Sequence, residues 1–381
     1  MRAFVFTDQS LTRHAGRFVW LELDTEKARN AALKRKLGAF AFPTYFVVDP
    51  ADETVALRWV GGFTVAQLDR LLDDGAAAVS GRTGAAPADT LLAEADRCYG
   101  AADYAGAARA YQQALAAAPA GWPHRTRAVE AALFALSSVD SNETAARLAR
   151  QEFPPLARTP SAANVAVSGL DAALSMPDSL PGRKDLVAAL EADARQVLAD
   201  EALAIAGDDR SGLYLTLLGA RKDAKDEPGA KRVAEEWSAF LDRAAAQARS
   251  PEQRAVYDPH RLTAYMELGQ TERALPMLEA SERDLPDDYN PPARLAAAYW
   301  ALKRWDEGLA ASDRALAKAY GPRKLALLAT RADIFTGKGA REAARKTLEE
   351  AITLAESLPA GQRSERTIAA LKRKLAALGP Y

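Results

Sequence analysis

The sequence predicts two architectures in one chain, a short α/β module followed by an all-α array of repeated helix pairs. Pro43 stands directly before Thr44-Tyr45-Phe46-Val47-Val48-Asp49. A proline ahead of such a β-branched and aromatic run is tolerated at a strand's first position, because it has no N–H to give to a ladder. Tyr265, Tyr299 and Phe335 recur at intervals of 34 and 36 residues within a shared pattern of small and large side chains. Between these regions, residues 76–89 are rich in Ala, Gly and Ser, the composition of a linker or a frayed helix end. The expected division is an α/β domain over 1–75, a linker over 76–89 and helical repeats over 90–381.

Around Pro43 the elements follow in a definite order. Phe18-Val19-Trp20-Leu21-Glu22-Leu23-Asp24 reads as a strand whose last residue can cap a helix over Thr25 to Leu37. Thr54-Val55-Ala56-Leu57-Arg58-Trp59-Val60 is a further strand, closed by Gly61-Gly62. Thr64 then caps a helix with Val65, Leu68, Leu71 and Leu72 on its apolar face.

Strand, helix, Pro-led strand, strand, Gly and helix is the order that follows the active-site helix of a thioredoxin, and residues 1–75 resemble the second half of that fold. The resemblance implies a cis proline at Pro43, in a loop of Phe42, Pro43 and Thr44 that faces a redox-active CxxC. This chain has no CxxC. Met1-Arg2-Ala3-Phe4-Val5-Phe6 reads as the rest of the helix that would carry one. The family's central strand is missing too, and at roughly 1.5 to 3 kcal/mol per large apolar side chain it would contribute on the order of 6 to 12 kcal/mol. That is comparable with the whole stability of a domain, about 5 to 15 kcal/mol. Two expectations follow: the reading frame continues upstream of Met1 through the strand and CxxC, which the stability argument favours, or the remaining strands re-pair into a reduced sheet.

Composition is ordinary for a globular chain of more than one unit, with 49% hydrophobic and 27% charged residues in 381. No stretch approaches the ~18 uninterrupted apolar residues of a membrane span. Asp8 and Arg13 interrupt any signal-like N-terminus. As it stands the chain reads as cytoplasmic; a signal peptide upstream of Met1 would make it periplasmic or secreted. The 50 basic and 51 acidic residues balance, which argues against a nucleic-acid footprint. Lys34-Arg35-Lys36 and Lys372-Arg373-Lys374 read as solvated helix surface.

The repeats have a second resemblance. Leu91 to Pro119 carries Ala95, Cys98, Tyr104, Ala107, Tyr111, Ala114, Leu115 and Pro119 in the tetratricopeptide (TPR) pattern. Three later copies carry Leu262, Tyr265, Ala274, Leu278, Ser281 and Pro286; then Ala296, Tyr299, Trp305, Gly308, Ser312 and Ala315; then Ala332, Phe335, Ala344, Leu348 and Ala351. Small residues let paired helices approach, large ones fill the space between neighbours, and stacking is obligatory because no pair buries its own apolar face. About four repeat-sized units fit between Cys98 and Tyr265. Helices are expected there over Arg125 to Leu136, Ala162 to Leu174, Leu186 to Ile205 and Ala230 to Ala248, broken by Pro154-Pro155, Pro177, Pro181 and Gly207.

Little in the chain points to catalysis. Cys98 is the one cysteine, at an expected core position, so no dithiol couple can form within the chain. His14, His124 and His260 are widely separated and read as solvent-facing or capping residues. Neither a P-loop, G-x-S-x-G nor H-E-x-x-H occurs, and no cofactor or metal is implied.

The TPR resemblance implies a protein or peptide ligand on the first helix of each pair, at its second, fifth, ninth and twelfth positions. Here these are Leu92, Asp96 and Tyr99; Thr263 and Met266; Asn290, Ala293, Ala297 and Trp300; and Asp333. The family's clamp for C-terminal carboxylates uses Lys, Asn and Arg, which Leu92, Ala293 and Ala297 do not supply. The expected function is an interaction scaffold with a redox-inactive thioredoxin-like module. The alternatives are an oxidoreductase whose CxxC lies upstream of Met1, with the repeats recruiting substrate, and a purely structural array capped by the N-terminal remnant.

Overall fold

The computed structural model describes residues 5–81 and 86–379. The Met1-to-Phe6 helix remnant falls largely outside these residues, as does the middle of the expected linker. After a 3-10 helix at Gln9–His14 come α1 (Ala31–Lys36), the hairpin strands β1 (Thr44–Val48) and β2 (Val55–Val60), and α2 (Val65–Val79). Helix pairs follow: α3 (Pro87–Gly100) and α4 (Tyr104–Ala117), α5 (Arg125–Ser138) and α6 (Asn142–Leu156), α7 (Ala162–Leu174) and α8 (Arg183–Ala199), α9 (Gly207–Asp223) and α10 (Glu227–Ala246). After the short α11 (Pro251–Ala255) come α12 (Asp258–Glu267) and α13 (Ala274–Asp284), α14 (Asn290–Ala301) and α15 (Trp305–Lys318), α16 (Arg323–Gly337) and α17 (Arg341–Ser357), and finally α18 (Glu365–Ala377).

One turn, reused along the chain, makes the pairs. Ala102, Asp140, Lys225, Gly269, Lys303 and Gly339 each follow a first helix with a positive φ. The next residue's N–H then reaches back to a carbonyl five residues earlier, as Asp103 to Cys98, Ser141 to Leu136, Asp226 to Arg221, Gln270 to Tyr265, Arg304 to Tyr299 and Ala340 to Phe335. This left-handed closure satisfies carbonyls that the helix end leaves orphaned, at a cost of about 1 to 2 kcal/mol where the residue is not glycine. The α7–α8 pair departs from the pattern and uses a longer loop over 175–182. The helical part is thus a TPR-like array, held by first helices packing on first helices, α12 on α14 and α14 on α16 among them.

Three pairs, α5 to α10, fill the stretch where about four units were expected. Their helices are longer than the pattern assumes: α8 and α9 have 17 residues each and α10 has 20. Pro177 and Pro181 fall in the loop between α7 and α8 as expected, but the other breakers do not interrupt a helix. Pro154 and Pro155 lie in the last turn of α6, and Gly207 is the first residue of α9.

The chain divides into two compact units, one of Met1–Val19 and Leu37–Val233, the other of Trp20–Lys36 and Ala234–Tyr381. In the first, β1 and β2 pair antiparallel with Thr44 opposite Val60 and Val47 opposite Leu57. Thr64 caps α2 in a full capping box with Gln67. Val5, Leu57, Trp59, Phe63, Leu68, Leu71 and Leu72 form the core between hairpin and helix. That is the only sheet among the described residues, so a complete thioredoxin-like α/β domain is not present in them. Phe18 to Asp24 is not a strand, because an extended segment becomes one only by joining a sheet, and the one sheet among the described residues pairs β1 with β2. Its residues from Trp20 onward belong to the second unit, where a 3-10 turn at Ala28–Asn30 and α1 replace the expected long helix.

Two further expectations change. His14 is buried rather than solvent-facing; its Nε2 lies 2.9 Å from Asp69 and its Nδ1 3.0 Å from Arg17. His124 stands at the cap position of α5 and 3.3 Å from Asp74. Cys98 is half-buried, and the interior position assigned to it is filled by Tyr99, whose ring meets Tyr104, Tyr111 and Phe134.

Candidate functional site

In the first unit the inner-face positions are already covered by the chain itself. Leu92, Asp96 and Tyr99 are buried, so they do not line an open groove. Asp96 accepts from Arg127 Nη1 at 2.7 Å and from the Tyr111 hydroxyl at 2.6 Å, while Arg127 Nε reaches Asp74 of α2 at 3.1 Å. The Arg58 guanidinium of β2 lies 5.7 Å from the Tyr99 ring centre and donates to the Gly100 carbonyl at 3.3 Å. Further along, Gln67 of α2 donates to Ser161 at 3.2 Å, and Glu130 accepts from Asn164 at 3.0 Å. Burial pushes the Glu130 carboxyl up to about 7 against the hydrogen bonds from Ser161 and Asn164. The hairpin and α2 therefore occupy the face that the sequence pattern offers to a ligand.

The remaining positions belong to the second unit. Asn290, Ala293, Ala297 and Trp300 recur every three or four residues, so they share one stripe of α14. Ala297 and Met266 lie half-buried against the core around Tyr265, Leu295 and Tyr299, and Ala293 against that around Ala315 and Leu327. Thr263 donates back to the Pro259 carbonyl at 2.9 Å, and Asn290 donates to Asp288 at 2.8 Å. Asp333 is held by Lys374 of α18 at 2.5 Å. Trp300 is the exposed member, at 41%, whereas its neighbour Tyr299 is 8% exposed with its hydroxyl 3.3 Å from Glu279 and Arg304 over its ring. The basic runs lie on α1 and α18, where Lys372 pairs with Glu356.

The loop of Phe42, Pro43 and Thr44 has a cis Phe42–Pro43 bond, and Thr44 Oγ1 donates to the Ala41 carbonyl at 2.6 Å. A redox reading finds no support there. The lone thiol, Cys98, is pushed above its ordinary pKa by burial and by Glu94 and Asp103, which disfavours the reactive thiolate. Among the described residues no group of His, Cys, Asp and Glu is arranged to hold a metal ion, and no helix is long and apolar enough to cross a membrane.

A second feature escaped the sequence pattern. Residues 20–36 lie on the loops that open α16 and α18. Asp24 accepts from the Tyr320 hydroxyl, from Arg323 Nη2 at 3.3 Å and from the Glu26 N–H at 2.9 Å. Burial alone would raise this carboxyl, but those partners hold it below the usual carboxylate value. Gln362 Nε2 donates to the Thr25 carbonyl at 2.9 Å. The sequence signal was Asp24 as a cap; its partners, some 300 positions away, carried none.

No protein-family profile matches the chain, and no curated protein matches it. Among solved structures it is similar to a tetratricopeptide repeat protein from Parabacteroides merdae, with 10% identity over 75% of this chain and 97% of that one and a TM-score of 0.49. It is also similar to the TPR2AB domain of yeast Sti1 in its pHSP90 complex, with 16% identity over 76% and 98% and a TM-score of 0.29. A third similarity is to the APC/C hetero-tetramer Cut9–Hcn1, with 11% identity over 82% of each chain and a TM-score of 0.29.

Proposed function

We propose that this chain is a protein-interaction scaffold whose second unit receives a peptide on the α12, α14 and α16 faces, with Trp300 as the anchor. The observation that carries the reading is the contrast between adjacent aromatics, Tyr299 packed inside and Trp300 held out beside the small side chains of Ala293 and Ala297. A large aromatic displayed next to small residues offers a ligand both an anchor and close approach. In the first unit the same face is covered by the hairpin and α2, which favours a structural, capping role for the thioredoxin-like element order there.

The test is selection of random displayed peptides on the full chain, followed by measurement on variants. Trp300→Ala weakens a selected peptide by roughly 30-fold, the equivalent of about 2 kcal/mol for an interface anchor. Peptides that bind this variant as tightly as the parent place the docking surface elsewhere.

A further inference from the structure

The way residues 20–36 sit on the second unit is unlike core packing. The apolar side chains that lead the segment face outward, with Leu21 78% exposed, Trp20 53% and Leu23 40%, although Ala31 further on is buried. The repeats grip its backbone and the Asp24 carboxylate. Tyr320 and Arg323 converge on Asp24, and the buried Gln362 takes the Thr25 carbonyl. Two glycines make room for the approach. A Cβ on Gly321, which also has φ +53°, would stand 2.6 Å from the Glu26 carbonyl oxygen, and one on Gly361 would overlap that of Ala31. Beside the contact is an open cavity of about 510 Å³, bounded by Glu26, Lys27 and Arg29 on one side and Tyr320, Leu358 and Pro359 on the other. The segment is seated by hydrogen bonds and close backbone approach, without filling the space beneath it.

We infer that the loop edge formed by residues 319–323 and 358–362 is a second peptide-binding site, specific for an extended segment with an aspartate ahead of a turn, and that residues 20–36 are its tethered ligand. Recognition of backbone carbonyls and one anchored carboxylate, with the ligand's apolar side chains left outside, is the chemistry by which a domain reads an extended peptide. The tether keeps the site filled, because a covalently attached ligand acts at an effective concentration that a free peptide must exceed. A peptide in trans that carries such an aspartate therefore gains access when the tethered segment is weakened. This edge is distinct from the Trp300 stripe, so either site can fail without the other.

The probe is a fluorescein-labelled synthetic peptide of residues 20–36, titrated into the full-length chain. Wild type binds it weakly. A chain carrying Asp24→Gly, Thr25→Ser and Glu26→Gly, which releases the tethered segment and leaves the seat intact, binds it at least about tenfold more tightly. Adding Gly361→Val to that chain abolishes binding, and a peptide with Asp24→Ala fails on the released chain. Hydrogen exchange on the same samples shows amides 26–31 protected in wild type and exposed after release. Equal affinity for wild-type and released chains overturns the proposal, as does binding that survives Gly361→Val. Absence of binding to a released chain whose circular dichroism melt matches wild type also overturns it.

Discussion

Arg127 and Asp96 meet at 2.7 Å with both side chains almost wholly withdrawn from solvent, and the same guanidinium reaches Asp74 of α2 at 3.1 Å. One cation thus joins α3, α5 and α2. It helps to explain how a two-stranded hairpin, marginal at best on its own, persists on this unit. The unit's inner face is its missing second layer.

Removing that cation leaves two carboxylates short of a partner. Arg127→Met is expected to destabilise the first unit by about 3 to 5 kcal/mol, the usual result of breaking a buried pair from one side. Asp96→Asn in the same chain recovers part of the loss. Urea unfolding gives both values, and a single-variant loss under about 1 kcal/mol would mean that the bridge is solvated.

Two glycines in helices of the first unit separate helix propensity from docking. At Gly212 of α9 the nearest group to an added Cβ is Val167 Cγ2 at 3.9 Å, whereas at Gly100 of α3 it is the Val55 carbonyl oxygen of β2 at 2.5 Å. Gly212→Ala should raise stability by roughly 0.5 to 1 kcal/mol. Gly100→Ala, at the last residue of α3, should lower it, because β2 must move off α3. Thermal melts in which both substitutions stabilise would show that the hairpin is not held at this contact.

What could be read from the sequence was local. Thr64 announces the start of α2, and Ala162–Leu174 appears with the expected bounds. The strands flanking Gly61 and Pro43 also form where expected. What could not be read was pairing over distance. Phe18 to Asp24 has a strand's composition, but a strand is decided by its neighbour, and here Asp24 binds Tyr320 instead. In α3 the choice between Cys98 and Tyr99 is a rotation of one residue, settled by the aromatic partners Tyr104, Tyr111 and Phe134. Among the candidate site residues, Trp300 emerges on the surface and Leu92, Asp96 and Tyr99 do not, because the chain's own module covers the first unit's face.

The adjacent aromatics of α14 should respond oppositely to truncation. Tyr299 packs with Tyr265, Leu295 and Ile334, and Tyr299→Ala is expected to cost about 3 to 5 kcal/mol in stability. Trp300→Ala should change stability by less than about 1 kcal/mol, as an exposed substitution outside the core does. Equal losses in denaturant melts would show that Trp300 is a packing residue, and the peptide stripe on α14 would go with it.

Glu130 makes the first unit's stability depend on pH near neutrality. Its carboxyl is raised from 4.5 to about 7, first by burial. Asp209 is raised to about 6 by burial and by Asp208, and acts in the same direction. A raised acid binds more protons in the folded chain than in the unfolded one between the two pKa values. Stability is therefore fully present below about pH 4.5 and declines as pH rises through about 7. Glu130's share is at most about 3 kcal/mol, at 1.36 kcal/mol per pKa unit. Glu130→Gln removes the ionisable group, so its unfolding free energy relative to wild type should improve from pH 5 to pH 8. A constant offset between the two chains, measured by urea unfolding at both pH values, would mean that Glu130 is ionised and solvated in the folded protein.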